Sequence, residues 1–172
     1  MTASDWLVDH RSLLPAAGDA LDVACGRGRN ALWLAQCGLR VRALDRDAQA
    51  VEQVRREAQR AGLHIGAELF DLEQPGISLG HHAFDVIVVI HYLHRPLFPA
   101  LIDALAPEGL LVYETFTLAQ AARGKPTNPD FLLGHGELRR LVAPLEVIDY
   151  REGPYDGREI AGIVARRGRG QI

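Results

Sequence analysis

The chain has 172 residues, two cysteines and a formal net charge of −3, with 48% hydrophobic and 24% charged residues. Such a chain buries its own core as one globular domain, 1–172, which excludes a disordered chain, a disulfide scaffold and a strongly basic nucleic-acid binder. No apolar run reaches the ~20 residues of a membrane span, and no basic stretch precedes an apolar one at the N-terminus, so a cytoplasmic protein without membrane contact is expected. Cys25 and Cys37 are too few for a disulfide framework and are expected to be reduced, packed thiols.

Ser4 and Asp5 cap a first helix carrying Trp6, Leu7, His10, Leu13 and Leu14, and Pro15 closes this 1–16 segment. Gly18-Asp19 turns into a strand over about 20–24, which empties into Cys25-Gly26-Arg27-Gly28 before a helix over about 29–37 capped by Gly38. A second strand, 39–44, ends in Asp45. Asp47 then caps a longer helix whose Val51, Val54, Ala58 and Ala61 recur at helical spacing until Gly62. A third strand, about 64–70, ends in Asp71. Pro75-Gly76 and Gly80-His81-His82 mark an irregular crossover, and the unbroken apolar run 84–90 predicts a strand buried on both faces.

His91-Tyr92-Leu93-His94-Arg95 follows, then Pro96 opens a helix through Leu105, and Pro107-Glu108-Gly109 turns into a fifth strand, 110–113, ending in Glu114, Thr115 and Thr117. Residues 118–130, broken by Gly124, Pro126 and Pro129, predict a lid loop within 116–133. A short helix over about 137–142 precedes strands at 145–150 and 159–165, whose separation is too short for a crossover helix, so the sheet should finish antiparallel. Arg166, Arg167 and the rest of 166–172 are expected to be a flexible, solvated tail without a nucleic-acid partner.

The fold class expected from this alternation is α/β, a doubly wound, Rossmann-like sheet, mostly parallel, with an antiparallel C-terminal hairpin. Ligands bind such sheets beyond the carboxyl ends of the strands, where all the polar clusters above lie. Gly26-Arg27-Gly28-Arg29-Asn30-Ala31 satisfies the dinucleotide pattern G-x-G-x-x-G/A with Asp45 at the ribose distance, which keeps NAD as an alternative ligand. Against it stand Asp22 inside the first strand, the second strand-end acid Asp71, and the antiparallel finish.

Asp22-Val23-Ala24-Cys25-Gly26-Arg27-Gly28-Arg29-Asn30, Leu44-Asp45, Phe70-Asp71-Leu72 and Phe84-Asp85-Val86-Ile87 resemble the class I S-adenosylmethionine-dependent methyltransferases. Within them the chain resembles the small tellurite-resistance-type branch, whose loop reads D-x-x-C-G-x-G-x-N, and the match covers nearly the whole chain. The resemblance implies S-adenosyl-L-methionine as cofactor and S-adenosyl-L-homocysteine as product. It implies that Ala24, Gly26 and Gly28 approach the methionine part, Asp45 the ribose hydroxyls, Arg46 the adenine face, and Asp71 with the Leu72 backbone the adenine amino edge. His91 would lie near the sulfonium.

Asn30 reads equally as a brace of the helix start. His91, Tyr92, His94 and Arg95 are the candidate acceptor site, with His91 or His94 for proton chemistry and Arg95 for an anionic acceptor; Glu114, Thr115 and Thr117 would form the other wall, with Arg123, Asn128 and Phe131 from the lid. No metal site is read from His81, His82, His91 and His94, which lack acidic or Cys partners at ligand spacing. The expected activity is methyl transfer to a small-molecule acceptor, a thiol, metalloid oxyanion or similar, by in-line displacement, with a non-catalytic cofactor-binding module as the alternative. Nothing in the sequence indicates an oligomeric state.

Overall fold

The structure, a computed structural model, describes residues 2–170. Its strands are β1 (Gly18–Val23), β2 (Leu39–Asp45), β3 (Ile65–Leu69), β4 (Phe84–Ile90), β5 (Leu105–Phe116), β6 (Glu146–Tyr155) and β7 (Arg158–Arg166), and its helices α1 (Asp5–Asp9), α2 (Arg29–Gln36), α3 (Ala48–Ala61), α4 (Phe98–Ala104) and α5 (Glu137–Leu141). The seven strands form one sheet in the order β3-β2-β1-β4-β5-β7-β6. β1 to β5 pair in parallel, and β7 runs antiparallel to both β5 and β6. The mostly parallel sheet and its antiparallel finish are those expected from the sequence.

Alternation along the strands sends successive side chains to opposite layers. Ala20, Val41, Val86, Val88 and Val112 meet Trp6, Leu7, Leu34, Val51 and Val54 of α1, α2 and α3, whereas Leu21, Val23, Ile87, Val89 and Leu111 meet Phe98 and Leu101 of α4 and Leu138 of α5. The central strand β4 therefore needs apolar residues in both registers, which is why 84–90 reads as an unbroken run. α3 begins where Asp47 accepts hydrogen bonds from the Gln49 and Ala50 N–H groups, and ends at Gly62 with φ 63°. The crossover from β3 to β4 carries no regular helix; Leu72 and Leu79 pin it to the α4 layer.

Three local expectations are corrected. The first helix does not run to Leu14: α1 stops at Asp9 and a 3-10 turn over Arg11–Leu13 follows. The His10 ring explains the break, because Nδ1 bonds the Trp6 carbonyl at 2.7 Å and Nε2 bonds Asp149 at 2.8 Å, so the side chain competes for a helical acceptor. Pro107-Glu108-Gly109 does not precede the fifth strand but bulges within it, between the pairs Phe84↔Leu105 and Val86↔Leu110. Gly109 is required there, since a Cβ would stand 2.9 Å from the Phe84 carbonyl oxygen.

The third correction concerns the tail. β7 includes Arg166, and Arg167 is buried, its backbone paired with Glu108 and Gly109 and one guanidinium nitrogen donating to the Ile102 carbonyl at 2.7 Å. The cation satisfies carbonyls left open at the end of α4. Gln171 and Ile172, also within the expected tail, lie outside the described residues. Among the described residues no helix is long and apolar enough to cross a membrane.

Candidate active site

Between β1 and α2 the backbone turns left-handed at Ala24 (φ 54°), Gly26 (φ 53°) and Gly28 (φ 80°). Such a turn lays successive N–H groups along one concave surface. Asp45, the last residue of β2, fixes it: its carboxylate accepts the Gly26 N–H at 2.7 Å and the Asp47 N–H at 2.9 Å. A Cβ on Gly26 would meet nothing within 4 Å, whereas one on Gly28 would stand 2.6 Å from Val54 Cγ2. Gly26 thus faces open space, and Gly28 lets α3 pack against the loop.

Asn30 is buried and its Oδ1 accepts the Ser4 N–H at 2.9 Å, so it braces the N-terminal segment against the start of α2. Asp22 is also buried beneath the loop. Burial pushes its carboxyl up to about 7 although the Ala31 N–H and the Arg29 charge pull it down.

Two cavities open on the carboxyl edge. The first, about 160 Å³, is lined by Ala24, Asp45, Arg46, Phe70, Asp71, Leu72, Glu73 and Tyr92. Its chemistry fits an adenosine: carboxylates at Asp45 and Asp71 to accept from hydroxyl and amino groups, and the apolar surface of Phe70, Leu72 and Tyr92 for the base. Asp45 and Asp71 each spend part of their capacity on backbone N–H groups, Asp71 on Glu73 at 3.0 Å, and retain lone pairs for a ligand. Tyr92, expected beside the acceptor, stands on this wall instead.

The second cavity, about 190 Å³, is polar and is lined by residues 2–5 together with Arg29, His91, Glu114, Arg151, Tyr155, Asp156, Arg158 and Ile160. His91, at φ 59° just after β4, stacks its ring on Phe116 with centroids 4.7 Å apart, and its buried Nε2 has no hydrogen-bond partner among the described residues. Burial, reinforced by the charges of Arg29 and Arg158, holds the imidazole down at about 4, so it is neutral near pH 7. Glu114 is buried beside it, at the end of β5, with Oε2 accepting from Arg151 Nη2 at 2.6 Å.

Other expected wall residues lie elsewhere. Arg95 offers no open guanidinium: it forks onto Glu137 at 2.5 and 3.0 Å and donates to the carbonyls of Asp130 and Leu132, a clamp from the 3-10 turn ahead of α4 onto the start of α5. His94 lines a neighbouring groove formed by 72–77 and 96–100. Thr115 and Thr117 are buried. Nor is the 116–133 lid loose, because buried Gln120 donates to the Lys125 carbonyl and accepts the Glu159 N–H, and Arg123 pairs with Glu159 at 2.7 Å. Asn128 caps a 3-10 turn over Pro129–Phe131, and Phe131 projects into solvent; neither lines the polar cavity.

The sequence reading missed Arg151, Tyr155, Asp156, Arg158 and residues 2–5. One signal pointed there. A final strand antiparallel to β5 starts where β5 ends, so the tip of the β6–β7 hairpin must stand on the ligand-binding edge.

A doubly wound sheet closed by an antiparallel hairpin thus carries an adenosine-fitting cavity at the Ala24 end of a left-handed glycine loop and a polar pocket at its Arg29 end. A family model described as a methyltransferase domain matches residues 20–109, and the chain belongs to that family, whose cofactor is S-adenosylmethionine. This assignment sets the NAD alternative aside. Among curated proteins, Hemagglutinin 1 of Eikenella corrodens is 30% identical over 135 residues, covering 77% of this chain and 45% of its own length. The probable S-adenosyl-L-methionine-dependent methyltransferase TehB of Haemophilus influenzae is 24% identical over 135 residues, 77% of this chain and 47% of its own. The chain thus spans about half the length of these curated relatives. The crystal structure of TehB from Haemophilus influenzae matches with a TM-score of 0.80 at 19% identity, over 96% of this chain and 62% of that one, which shows a shared fold.

Proposed function

We propose that this chain moves a methyl group from S-adenosylmethionine to a small-molecule acceptor seated in the polar pocket. The observation that carries the reading is that the two ends of the glycine loop line two chemically distinct cavities, Ala24 the one fitted to adenosine and Arg29, with His91, the polar one. When bound, the cofactor supplies a methyl already activated on a positively charged sulfur. Asp45 and Asp71 would hold the nucleoside end, the Ala24, Gly26 and Gly28 backbone would support the amino-acid tail, and neutral His91 would add no charge repelling the sulfonium. The protein's main contribution is then alignment and exclusion of water. Thiols and metalloid oxyanions remain the acceptor classes of this reading, with cytoplasmic location and no nucleic-acid or membrane partner.

Thermal shift with S-adenosylhomocysteine and NAD side by side tests the ligand; S-adenosylhomocysteine should raise Tm and NAD should not. Release of S-adenosylhomocysteine in the presence of small thiols or selenite tests transfer. Tight binding with no release on any acceptor would favour the non-catalytic module.

A further inference from the structure

We propose that Glu114 is a catalytic residue, taking the proton of a protic acceptor (a thiol, hydroxyl or amine) as that acceptor is methylated. The inference rests on the methyl-transfer reading above and names the acceptor chemistry of the same pocket.

Glu114, Gly162 and Arg151 form one row across three strands, since Gly162 is the register partner of both. Trp6 lies over the gap that Gly162 leaves, where a Cβ would stand 2.9 Å from the indole. The Arg151 guanidinium is held between the Trp6 and Tyr155 rings, 4.5 and 4.3 Å from their centroids, while donating to Glu114 Oε2. One carboxylate oxygen is therefore fixed. The other, Oε1, has no hydrogen-bond partner among the described residues and is not among the sealed polar atoms, so it opens on the pocket.

His91 is the proton acceptor nearest Glu114 in the chain pairing, brought beside it by the pairing of Ile90 with Glu114. Its Nε2 is sealed and its basicity is low, which suits a neutral wall and not a base. Burial raises Glu114 above the ordinary carboxylate range, against the opposing pull of Arg151 and Arg158. Asp5, Asp156 and Arg29 are the further charges lining the pocket.

In the step, the acceptor's lone pair forms a bond to the methyl carbon as the sulfur–methyl bond breaks, and that bond's electron pair stays on sulfur. The acceptor's proton passes to Glu114 Oε1 and later to solvent. A sulfonium and a carboxylate become a thioether and a carboxylic acid, so atoms and charge balance. Arg151 is a positioning residue that acts through Glu114.

The test uses Glu114→Gln and Glu114→Asp with 2-mercaptoethanol, catechol and histamine as protic probes and iodide as a proton-free one. With the fastest protic probe, Glu114→Gln should lower kcat/KM by about 100-fold or more, Glu114→Asp should recover part of it, and calorimetric affinity for S-adenosylhomocysteine should be unchanged. The part of the wild-type rise of kcat/KM with pH that Glu114 sets should vanish in Glu114→Gln, leaving only the rise set by the acceptor's own ionisation, and Arg151→Gln should move the Glu114 part to higher pH. Wild-type turnover in Glu114→Gln, equal losses with iodide and protic probes, or methylation of iodide alone would each overturn the proposal. So would a wild type that binds S-adenosylhomocysteine yet methylates no protic probe. A wild type that does not bind S-adenosylhomocysteine would instead overturn the methyl-transfer reading on which the proposal stands.

Discussion

The Asp45 carboxylate receives the Gly26 N–H at 2.7 Å, so the end of β2 sets the height of the glycine loop that leaves β1. A single acid thus shapes one ligand surface and lines another. Replacing it with Ala removes both functions while touching no core residue. Asp45→Ala should lower S-adenosylhomocysteine affinity by about 100-fold or more, the scale of two lost charge-assisted hydrogen bonds, with the far-ultraviolet circular dichroism of the folded protein retained. Calorimetry showing wild-type affinity would remove Asp45 from the cofactor site.

Two glycines of one loop should fail in different ways. Gly26→Ala meets open space and carries only the left-handed strain of about 1–2 kcal/mol, so it should fold and bind cofactor poorly. Gly28→Ala adds a Cβ 2.6 Å from Val54 Cγ2 and should lose clearly more stability than Gly26→Ala. Paired thermal melts and binding isotherms separate the two, and equal melting temperatures would contradict the packing role of Gly28.

Asp22 and His91 should give opposite pH dependences. The Asp22 carboxyl rises from 3.8 to about 7 on folding, so the unfolded chain releases its proton first and stability declines as pH rises through that window. The His91 imidazole falls from 6.5 to about 4, so the unfolded chain takes a proton first and stability declines as pH falls from 6.5 to about 4. In the ligand-free protein, Asp22→Asn should therefore raise Tm at pH 8 relative to wild type by more than at pH 4, and His91→Gln should lessen the loss between pH 6.5 and 4. A His91 ring signal titrating near pH 6.5 by NMR would contradict the buried neutral imidazole.

Arg95→Ala should act on stability and not on binding. The side chain joins Glu137 and two carbonyls across the α4–α5 layer, a partly exposed set of charge-assisted bonds. Its loss should cost about 1–3 kcal/mol in chemical denaturation and leave S-adenosylhomocysteine affinity intact. A wild-type midpoint with impaired binding would return Arg95 to the site.

The side of the site with the glycine loop and the two strand-end acids was legible because its signals are local. Gly26 and Gly28 follow a strand at once, and Asp45 and Asp71 close the next two, so periodicity and turn chemistry alone place them on one edge. The polar pocket is assembled over long distances in the chain. Glu114 and Arg151 are aligned by their shared partner Gly162, and the register of an antiparallel hairpin cannot be counted from residue types when Val147 to Asp149 carries a bulge. Arg95 shows the opposite failure: beside two histidines it reads as an anion ligand, and nothing nearby announces the carboxylate 42 residues on that occupies it.

Residues 2–5 form part of the polar wall, and Ser4 is tied to Asn30, at the start of the helix that follows the glycine loop. Thr2 itself therefore stands at the wall of the polar pocket. An affinity tag placed there would compete with the acceptor for space. Recombinant protein intended for acceptor screening should carry its handle at the other end, beyond Gly170.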